Sequence, residues 1–432
     1  MKAAYLTLGC KVNQYDTDAM EEILENDGFA SVSFDECADV YLINTCTVTA
    51  VADKKSRQMI HKAHALNPDA FVIVCGCLSQ RIPEEILKIE GVSAVIGISQ
   101  RSSIGEVVSR LKSGEDKLNY VREIRSEKHF ENLHISKTQE RTRANIKICE
   151  GCENFCTYCI IPYARGPVRS RDLRDIRDEA RLLAQNGVRE VVLTGIHIAS
   201  YGKDLSKEKL IDVIETIAGV DGIERIRLGS LEPSCLTREF CERASKVRKL
   251  CPHFHISLQS GSASVLKRMN RHYTPDEYEG FVKNARKYFD NPAITTDVIA
   301  GFAGETEEEH LETIAFINKI GFSKVHIFPY SERVGTVAAK LPGPVPKAVR
   351  KRRAGEIAAA AGIEADRYLS EFIGRTETVL TEENGEDGLS RGHNERYIMI
   401  RFEGGTSNKL QKVRILKAEN ETLLGTLIEG EE

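Results

Sequence analysis

The chain has 432 residues, with 60 Lys and Arg against 64 Asp and Glu and 41% hydrophobic side chains. That length predicts two or three domains, and the near-neutral balance excludes a disordered or globally basic polypeptide, so any nucleic-acid surface has to be local. Met1–Leu8 is too short an apolar run for a signal peptide and no stretch approaches the roughly 18 apolar residues of a membrane helix, so no membrane partner and a cytoplasmic location are expected.

Ala3–Leu8, Val40–Ile43, Ala70–Val74 and Val92–Ile96 are short apolar runs with the character of buried strands. Helical stretches lie between and after them, over Asp16–Asp27, Val51–Leu66 and Pro83–Ile89. This alternation predicts a doubly wound parallel sheet. Each of the first three strands runs into a cysteine, at Gly9-Cys10, Asn44-Thr45-Cys46 and Gly76-Cys77. In a parallel sheet these thiols emerge on one edge, the carboxyl edge, where open sheets place their ligands. Three thiolates there can hold three irons of a four-iron cluster and leave the fourth open. The competing reading is three core cysteines that happen to end strands. The chain has 12 cysteines, and in a reducing compartment regular patterns point to metal or chemistry rather than disulfides. Cys37, Cys75, Cys149, Cys235, Cys241 and Cys251 stand outside any pattern and read as small hydrophobes.

A second group, Cys152, Cys156 and Cys159, is spaced C-x3-C-x2-C on one loop. A zinc site wants a fourth ligand, and no His or Cys follows at finger spacing. Three ligands on a tight loop suit a cuboidal cluster with one open iron. Tyr158 is placed either to lay its ring on a flat base or simply to pack. Ile146–Ile148 reads as a strand before this loop, with Glu190–Thr194, Arg225–Leu228, Phe254–Leu258, Ile294–Ile299 and Lys324–Phe328 as strands after it. Helices over Leu173–Gln185, Lys207–Ile217, Pro275–Tyr288 and Glu307–Ile320 alternate with most of them, which predicts a partial (β/α)6 barrel. The strand ends Thr194-Gly195, Ser230–Glu232, Gln259–Gly261 and Gly301–Glu305 then face one mouth, where barrels do their chemistry. His61, His64, His253 and His255 read as satisfied polar side chains rather than metal ligands.

Pro342–Pro346 reads as a rigid connector, and Lys347–Arg353 as a basic run entering a helix that ends near Tyr368. Phe372–Leu380, Tyr397–Phe402, Leu410–Leu416 and Thr422–Ile428 read as strands of a small antiparallel barrel, which resembles the TRAM domain, an RNA-binding module. Residues 366–432 hold nine Lys/Arg against fourteen Asp/Glu, so this is no general polyanion grip. Arg396, Arg401, Lys409, Lys412, Arg414 and Lys417 nevertheless gather on the later strands, as a positive face or a solvated edge. Arg165, Arg169, Arg171, Arg174 and Arg177 interleave with Asp172, Asp175 and Asp178, partly as helix-surface pairs.

The C-x3-C-x2-C loop with its aromatic residue resembles the signature of radical S-adenosylmethionine enzymes. The wider set Gly9–Gln14, Asn44–Val48, Gly76–Leu78 and Tyr158–Pro162 resembles the methylthiotransferases, and the similarity runs from Met1 to about Leu427. The resemblance implies two 4Fe-4S clusters, an auxiliary one at Cys10, Cys46 and Cys77 and a radical-forming one at Cys152, Cys156 and Cys159. It implies S-adenosylmethionine as cofactor, with Tyr158, Glu232 and Gln259 as its candidate contacts. It also implies tRNA as partner, an external low-potential electron donor and a sulfur source. The implied domains are a methylthiotransferase domain over 1–135, a radical domain over 140–366 and a TRAM domain over 369–432.

Lys11-Val12-Asn13-Gln14 after the first cysteine, and Tyr163–Gly166 followed by Arg169-Ser170-Arg171, are similar to the branch that acts on threonylcarbamoyl-adenosine in tRNA. Pro167 and Ala303 depart from that branch's usual residues. Its substrate carries a carboxylate, for which Arg165 is the candidate acceptor, a wall salt bridge being the other reading. Other branches methylthiolate isopentenyl-adenosine in tRNA or an aspartate of a ribosomal protein. A non-enzymatic alternative is an iron–sulfur RNA-binding or electron-carrier protein, although a carrier usually saturates every iron with protein ligands.

Overall fold

The computed structural model describes residues 1–137 and 142–428. The expected start of the second domain at 140 and the last residues of the third, 429–432, lie outside the described residues. In chain order the first unit consists of β1 (Lys2–Thr7), α1 (Lys11–Asn26), β2 (Ala30–Val32), β3 (Val40–Thr45), α2 (Ala50–Leu66), β4 (Phe71–Gly76), α3 (Cys77–Arg81), α4 (Pro83–Leu87), β5 (Val92–Ile96), α5 (Ile104–Lys112) and β6 (Leu118–Tyr120). Its strands pair in parallel in the order β2-β1-β3-β4-β5-β6.

Alternate side chains of the central strands serve the two faces, as the period of two requires. Leu42, Ile73 and Ile96 pack with Met20 and Leu24 of α1 and Val107 of α5. Tyr41, Ile43, Val72 and Val74 pack with Ile60 of α2 and Ile86 of α4. Helices on both faces bury β3 along its whole length, which is why it reads as a continuous apolar run. The short edge strands β2 and β6 carry no such signal in the sequence.

The second unit runs β7 (Arg143–Glu150), α6 (Ile161–Arg165), β8 (Arg169–Ser170), α7 (Leu173–Gln185), β9 (Glu190–Gly195), α8 (Leu210–Ala218), β10 (Arg225–Leu228), α9 (Arg238–Ala244), β11 (His253–His255), α10 (Ala263–Arg268), α11 (Pro275–Tyr288), β12 (Ala293–Ala300), α12 (Glu307–Ile320), β13 (Lys324–Pro329) and α13 (Lys347–Ser370). Two sheets, β10-β9-β7-β8 and β11-β12-β13, are joined by the bridges Ile226↔Leu250 and Leu231↔Ile256. β7, β9, β10, β11, β12 and β13 form a partial parallel barrel, edged by the antiparallel two-residue β8. Thr274 and Thr306 each open a helix with a full capping box, to Glu277 and Glu309, so α11 and α12 start where the sequence says. The last strand forms as expected but is poorly covered. β13 is half-exposed rather than buried, with Phe328 52% exposed.

The third unit is a closed barrel of β14 (Thr376–Asn384), β15 (Leu389–Asn394), β16 (Met399–Glu403), β17 (Leu410–Glu419) and β18 (Thr422–Leu427), in the order β14-β15-β16-β18-β17. Five strands close it, where the sequence suggests four. β15 escapes a hydrophobic pattern because its inward residues are Ser390, Gly392 and Asn394. A Cβ at Gly392 would lie 2.1 Å from the Leu380 carbonyl oxygen, and buried Asn394 hydrogen-bonds Glu377 and the backbone N–H groups of Arg396 and Ile398. Phe372, expected to begin the first strand, instead packs under the barrel with Tyr368 and Leu369 at the end of α13.

Candidate functional site

Cys10 follows β1, Cys46 follows β3 and Cys77 follows β4, so the parallel sheet delivers all three to its carboxyl edge. The two glycines before them are required by geometry. Gly9 has φ +110°, and a Cβ there would lie 2.9 Å from Cys46 Cβ and 3.1 Å from its Sγ. Gly76 has φ +96°, with Asn44 Oδ1 and the Thr45 carbonyl oxygen each 2.4 Å from where its Cβ would be. Asn13, one turn into α1, donates to the carbonyls of Leu8 (2.7 Å) and Thr45 (3.0 Å) and ties the two cysteine-bearing turns together.

The second triad is held just as closely. Gly151, at φ +76°, would drive a Cβ to 1.8 Å from the Pro167 carbonyl oxygen, so the departure at Pro167 abuts the cysteine loop through its backbone. Cys152 N–H donates to Gly166, Cys159 N–H to the Cys156 carbonyl, and Thr157 to the carbonyls of Met269 and Arg268. Phe155 sits at φ +46°, a strained conformation of the kind that clusters at functional sites.

A single metal ion at about 2.3 Å from each sulfur would draw three ligands to within about 4 Å of one another. Among the described residues the only three-ligand set that closes to 4.8 Å is Glu307, His310 and Glu356, whose carboxylates are already paired with Arg352 and Arg353. Neither cysteine triad contracts that far, which suits a multi-iron cluster better than a lone ion. Burial pushes the Cys77 thiol up to about 11 and Cys159 up to about 12, and raises Cys46 and Cys152 as well. A cationic centre is therefore what makes these groups thiolate ligands.

Cys10 of the first triad and all three cysteines of the second line one cavity of about 840 Å³. Cys10, Lys11 and Val48 line it from the sheet unit; Cys152, Cys156 and Cys159 line it from the barrel. Tyr158, Glu232 and Gln259, the candidate cofactor contacts, lie on the same wall. Tyr158 packs edge-on to Phe302 at 6.4 Å and joins the apolar cluster that contains Ala303, the other departure. Burial alone would raise the Glu232 carboxyl, but the hydrogen bond with His197 (3.3 Å) and the Arg271 charge (3.0 Å) hold it below its usual range. Arg271 also points Nη1 at Cys156 Sγ, 3.4 Å away. Gln259 has φ +70° and bridges β12 through its backbone, to the Asp297 carbonyl and the Ile299 N–H.

Arg165 is not at the mouth. It ends the short α6, is fully buried, and places Nε 3.2 Å from Cys77 Sγ and Nη1 2.9 Å from both Glu150 oxygens. Nη1 also reaches Asp16 at 3.3 Å, and Nη2 donates to Asn13. The acceptor role expected for it toward a substrate carboxylate is therefore corrected: two interior carboxylates and a cysteine sulfur already occupy the guanidinium. Arg169 and Arg171 are buried as well, whereas Arg174 and Arg177 stay on the surface of α7.

Several lining residues carry no sequence signal. His253, His255 and His326 face the cavity, His255 pairing with Asp297 at 3.1 Å. Arg396 and Tyr397 bring the third unit onto the same cavity, beside Arg227 of β10. Tyr397 has φ +61°, stacks on His393 at 4.3 Å, and has the Arg227 guanidinium 4.7 Å and the Lys11 ammonium 5.9 Å from its ring centroid. Of the cysteines read as small hydrophobes, Cys75, Cys149, Cys241 and Cys251 are buried, Cys235 is intermediate and Cys37 is exposed.

A family model described as uncharacterized protein family UPF0004 matches residues 2–97, and the radical SAM superfamily model matches residues 146–317. The threonylcarbamoyladenosine tRNA methylthiotransferase MtaB of Bacillus subtilis (strain 168) is 40% identical over 424 residues, 96% of this chain and 94% of the relative. The protein of that name from Aquifex aeolicus (strain VF5) is 42% identical over 353 residues, 82% of this chain and 86% of the relative. Among solved structures, the radical S-adenosylmethionine methyltransferase TsrM from Kitasatospora setae has a TM-score of 0.57 at 15% identity, covering 87% of this chain and 78% of that one. At that identity the likeness speaks for the fold alone.

Proposed function

The chain belongs to the tRNA methylthiotransferases of the radical S-adenosylmethionine superfamily, and we propose that it places a methylthio group on C2 of N6-threonylcarbamoyladenosine just 3′ of the tRNA anticodon. The observation that carries this reading is the cavity that Cys10 of the first triad shares with Cys152, Cys156 and Cys159 of the second. We assign the auxiliary cluster to the unit over 1–135, the radical chemistry to 140–366 and RNA anchoring to 369–432.

When bound, the two clusters and S-adenosylmethionine supply a radical able to take hydrogen from an unactivated carbon and a sulfur to replace it. The chain's own work is to bind, orient and exclude water. Cys152, Cys156 and Cys159 hold one cluster; Cys10, Cys46 and Cys77 hold the other. Tyr158, backed by Phe302, offers an aromatic edge for a nucleobase, and Glu232 and Gln259 offer polar contacts to the cofactor. His197 and Arg271 keep Glu232 ionised and oriented. The threonylcarbamoyl carboxylate calls for a cation. Lys11, next to Cys10 and near Tyr397, is our candidate in place of Arg165. Reductive cleavage consumes an electron and product formation consumes sulfur, so an external low-potential donor and a sulfur source are the further partners. We place the protein in the cytoplasm, where the six cluster cysteines and the six others stay reduced.

The test is nucleoside mass spectrometry of tRNA from cells lacking the gene, with and without rescue. Loss and rescue of 2-methylthio-N6-threonylcarbamoyladenosine supports the assignment. Loss of the isopentenyl derivative alone, or unchanged tRNA with an unmodified ribosomal-protein aspartate, sinks it. A Lys11→Ala rescue should raise KM for threonylcarbamoylated tRNA about tenfold, the effect of removing one charge-assisted hydrogen bond.

A further inference from the structure

We propose that Arg165 is a positioning residue for the auxiliary cluster, donating a hydrogen bond from Nε to the ligand sulfur of Cys77. The guanidinium comes from the radical barrel, at the end of the helix that follows Cys159, while Cys77 belongs to the sheet unit. It therefore crosses from one cluster-bearing element to the other. Four directions of its fork are occupied: Nε faces Cys77 Sγ at 3.2 Å, Nη1 faces Glu150 at 2.9 Å and Asp16 at 3.3 Å, and Nη2 faces Asn13. Cys10 Sγ lies 4.0 Å from Asn13 Oδ1, so two of the three triad cysteines lie beside the Arg165–Asn13 pair.

The supports of this guanidinium are rigid. Arg101 pairs with Asp16, Glu131 (2.7 Å) and Glu150 (3.3 Å), and Lys147 pairs with Asp16 and Glu150. Asp16, Arg101, Lys147 and Glu150 are buried, and Glu131 closes the network at its edge. Contacts among these cations and carboxylates hold the Arg165 plane in one orientation. A planar fork suits this task and a lysine does not, because one ammonium cannot reach Glu150, Asn13 and Cys77 together. A hydrogen bond donated to a ligand sulfur raises the reduction potential of the cluster it binds, because it stabilises the more negative, reduced form. Cys77 is buried, so water does not compete for this hydrogen bond.

The inference rests on the reading that Cys10, Cys46 and Cys77 hold a cluster, and the experiment separates the two. Full-length chain carrying Cys152→Ala, Cys156→Ala and Cys159→Ala is reconstituted anaerobically with iron and sulfide, alone and with Arg165→Lys or Arg165→Gln. Iron content is measured, and the midpoint potential is read by electron paramagnetic resonance during redox titration. Retention of about four irons with a midpoint lowered in Arg165→Lys, and further in Arg165→Gln, is the expected result. The shift in Arg165→Gln should be at least tenfold in the oxidised-to-reduced ratio, about 59 mV for a one-electron couple. Arg165→Lys keeps the charge beside Glu150 and guards against a fold that collapses. If both variants retain four irons with the parent's midpoint, Arg165 has no role at the cluster. If the parent with only the first triad binds no iron, the cluster reading falls and this inference falls with it.

Discussion

Arg227 grips Glu190 with Nε at 2.8 Å and Nη2 at 3.2 Å, while its Nη1 donates to the carbonyl of Glu395, 2.9 Å away in the C-terminal barrel. Arg225 beside it donates to the carbonyls of His393 and Thr378, and Arg143 joins Glu190 to Glu382. One buried carboxylate thus orients three arginines that dock the third unit on the second.

Removing that carboxylate should be costly, because three buried cations would lose their shared partner. Glu190→Ala is expected to destabilise the protein by about 3–5 kcal/mol. The loss should show first as undocking of the C-terminal barrel. Limited proteolysis around residues 371–375, before β14, would detect it; an unchanged cleavage pattern and melting temperature would rule out the docking role.

The His253 imidazole gives a pH signature. Burial, with Arg227, His255 and Lys11 adding to it, holds its pKa well below the usual range, against the smaller opposing pull of Glu190. The unfolded chain then binds a proton near pH 6.5 that the folded chain refuses, so stability falls as pH drops below that value. The parent should lose up to about 1.4 kcal/mol per pH unit more than His253→Gln between pH 6.5 and 5. Parallel stability curves for the two proteins would contradict this.

The two triads should separate chemically. Reconstituted parent should carry about eight irons, four per triad. Cys152→Ala is expected to abolish reductive cleavage of S-adenosylmethionine. Cys46→Ala should keep some cleavage and yield no methylthiolated nucleoside. Normal 5′-deoxyadenosine production by Cys152→Ala would overturn the radical assignment.

RNA anchoring is best tested by point changes rather than truncation. A cut after Ser370 would strip the partners from Arg143, Arg225 and Arg227 and remove Tyr397 from the cavity wall. Lys412 and Arg414 are exposed on β17 and alternate with buried Val413 and Ile415, so they project from the barrel's outer face. Arg396 instead donates to the backbone carbonyls of Asp290 and Asn291 and is spent on docking. Lys412→Glu with Arg414→Glu should weaken tRNA binding. The slope of log affinity against log salt should fall by about 0.9 for each duplex phosphate that the variant no longer neutralises. An unchanged slope would move the RNA surface elsewhere.

The sequence by itself determined the strand–helix rhythm, the starts of the helices at Pro275 and Glu307, and the edge on which Cys10, Cys46 and Cys77 emerge. Those features follow from short-range rules: side-chain period, capping spacing and the common direction of parallel strands. Tertiary structure alone decided where the arginines point. Arg165 has the same local context as a surface helix end, and it turns inward because Asp16, 149 residues away, and Glu150 meet there. Tyr397 and Lys11 likewise become neighbours only when the closed barrel docks through Glu190. A buried charge needs partners that no local pattern announces, because desolvation makes its position depend on every element that reaches it.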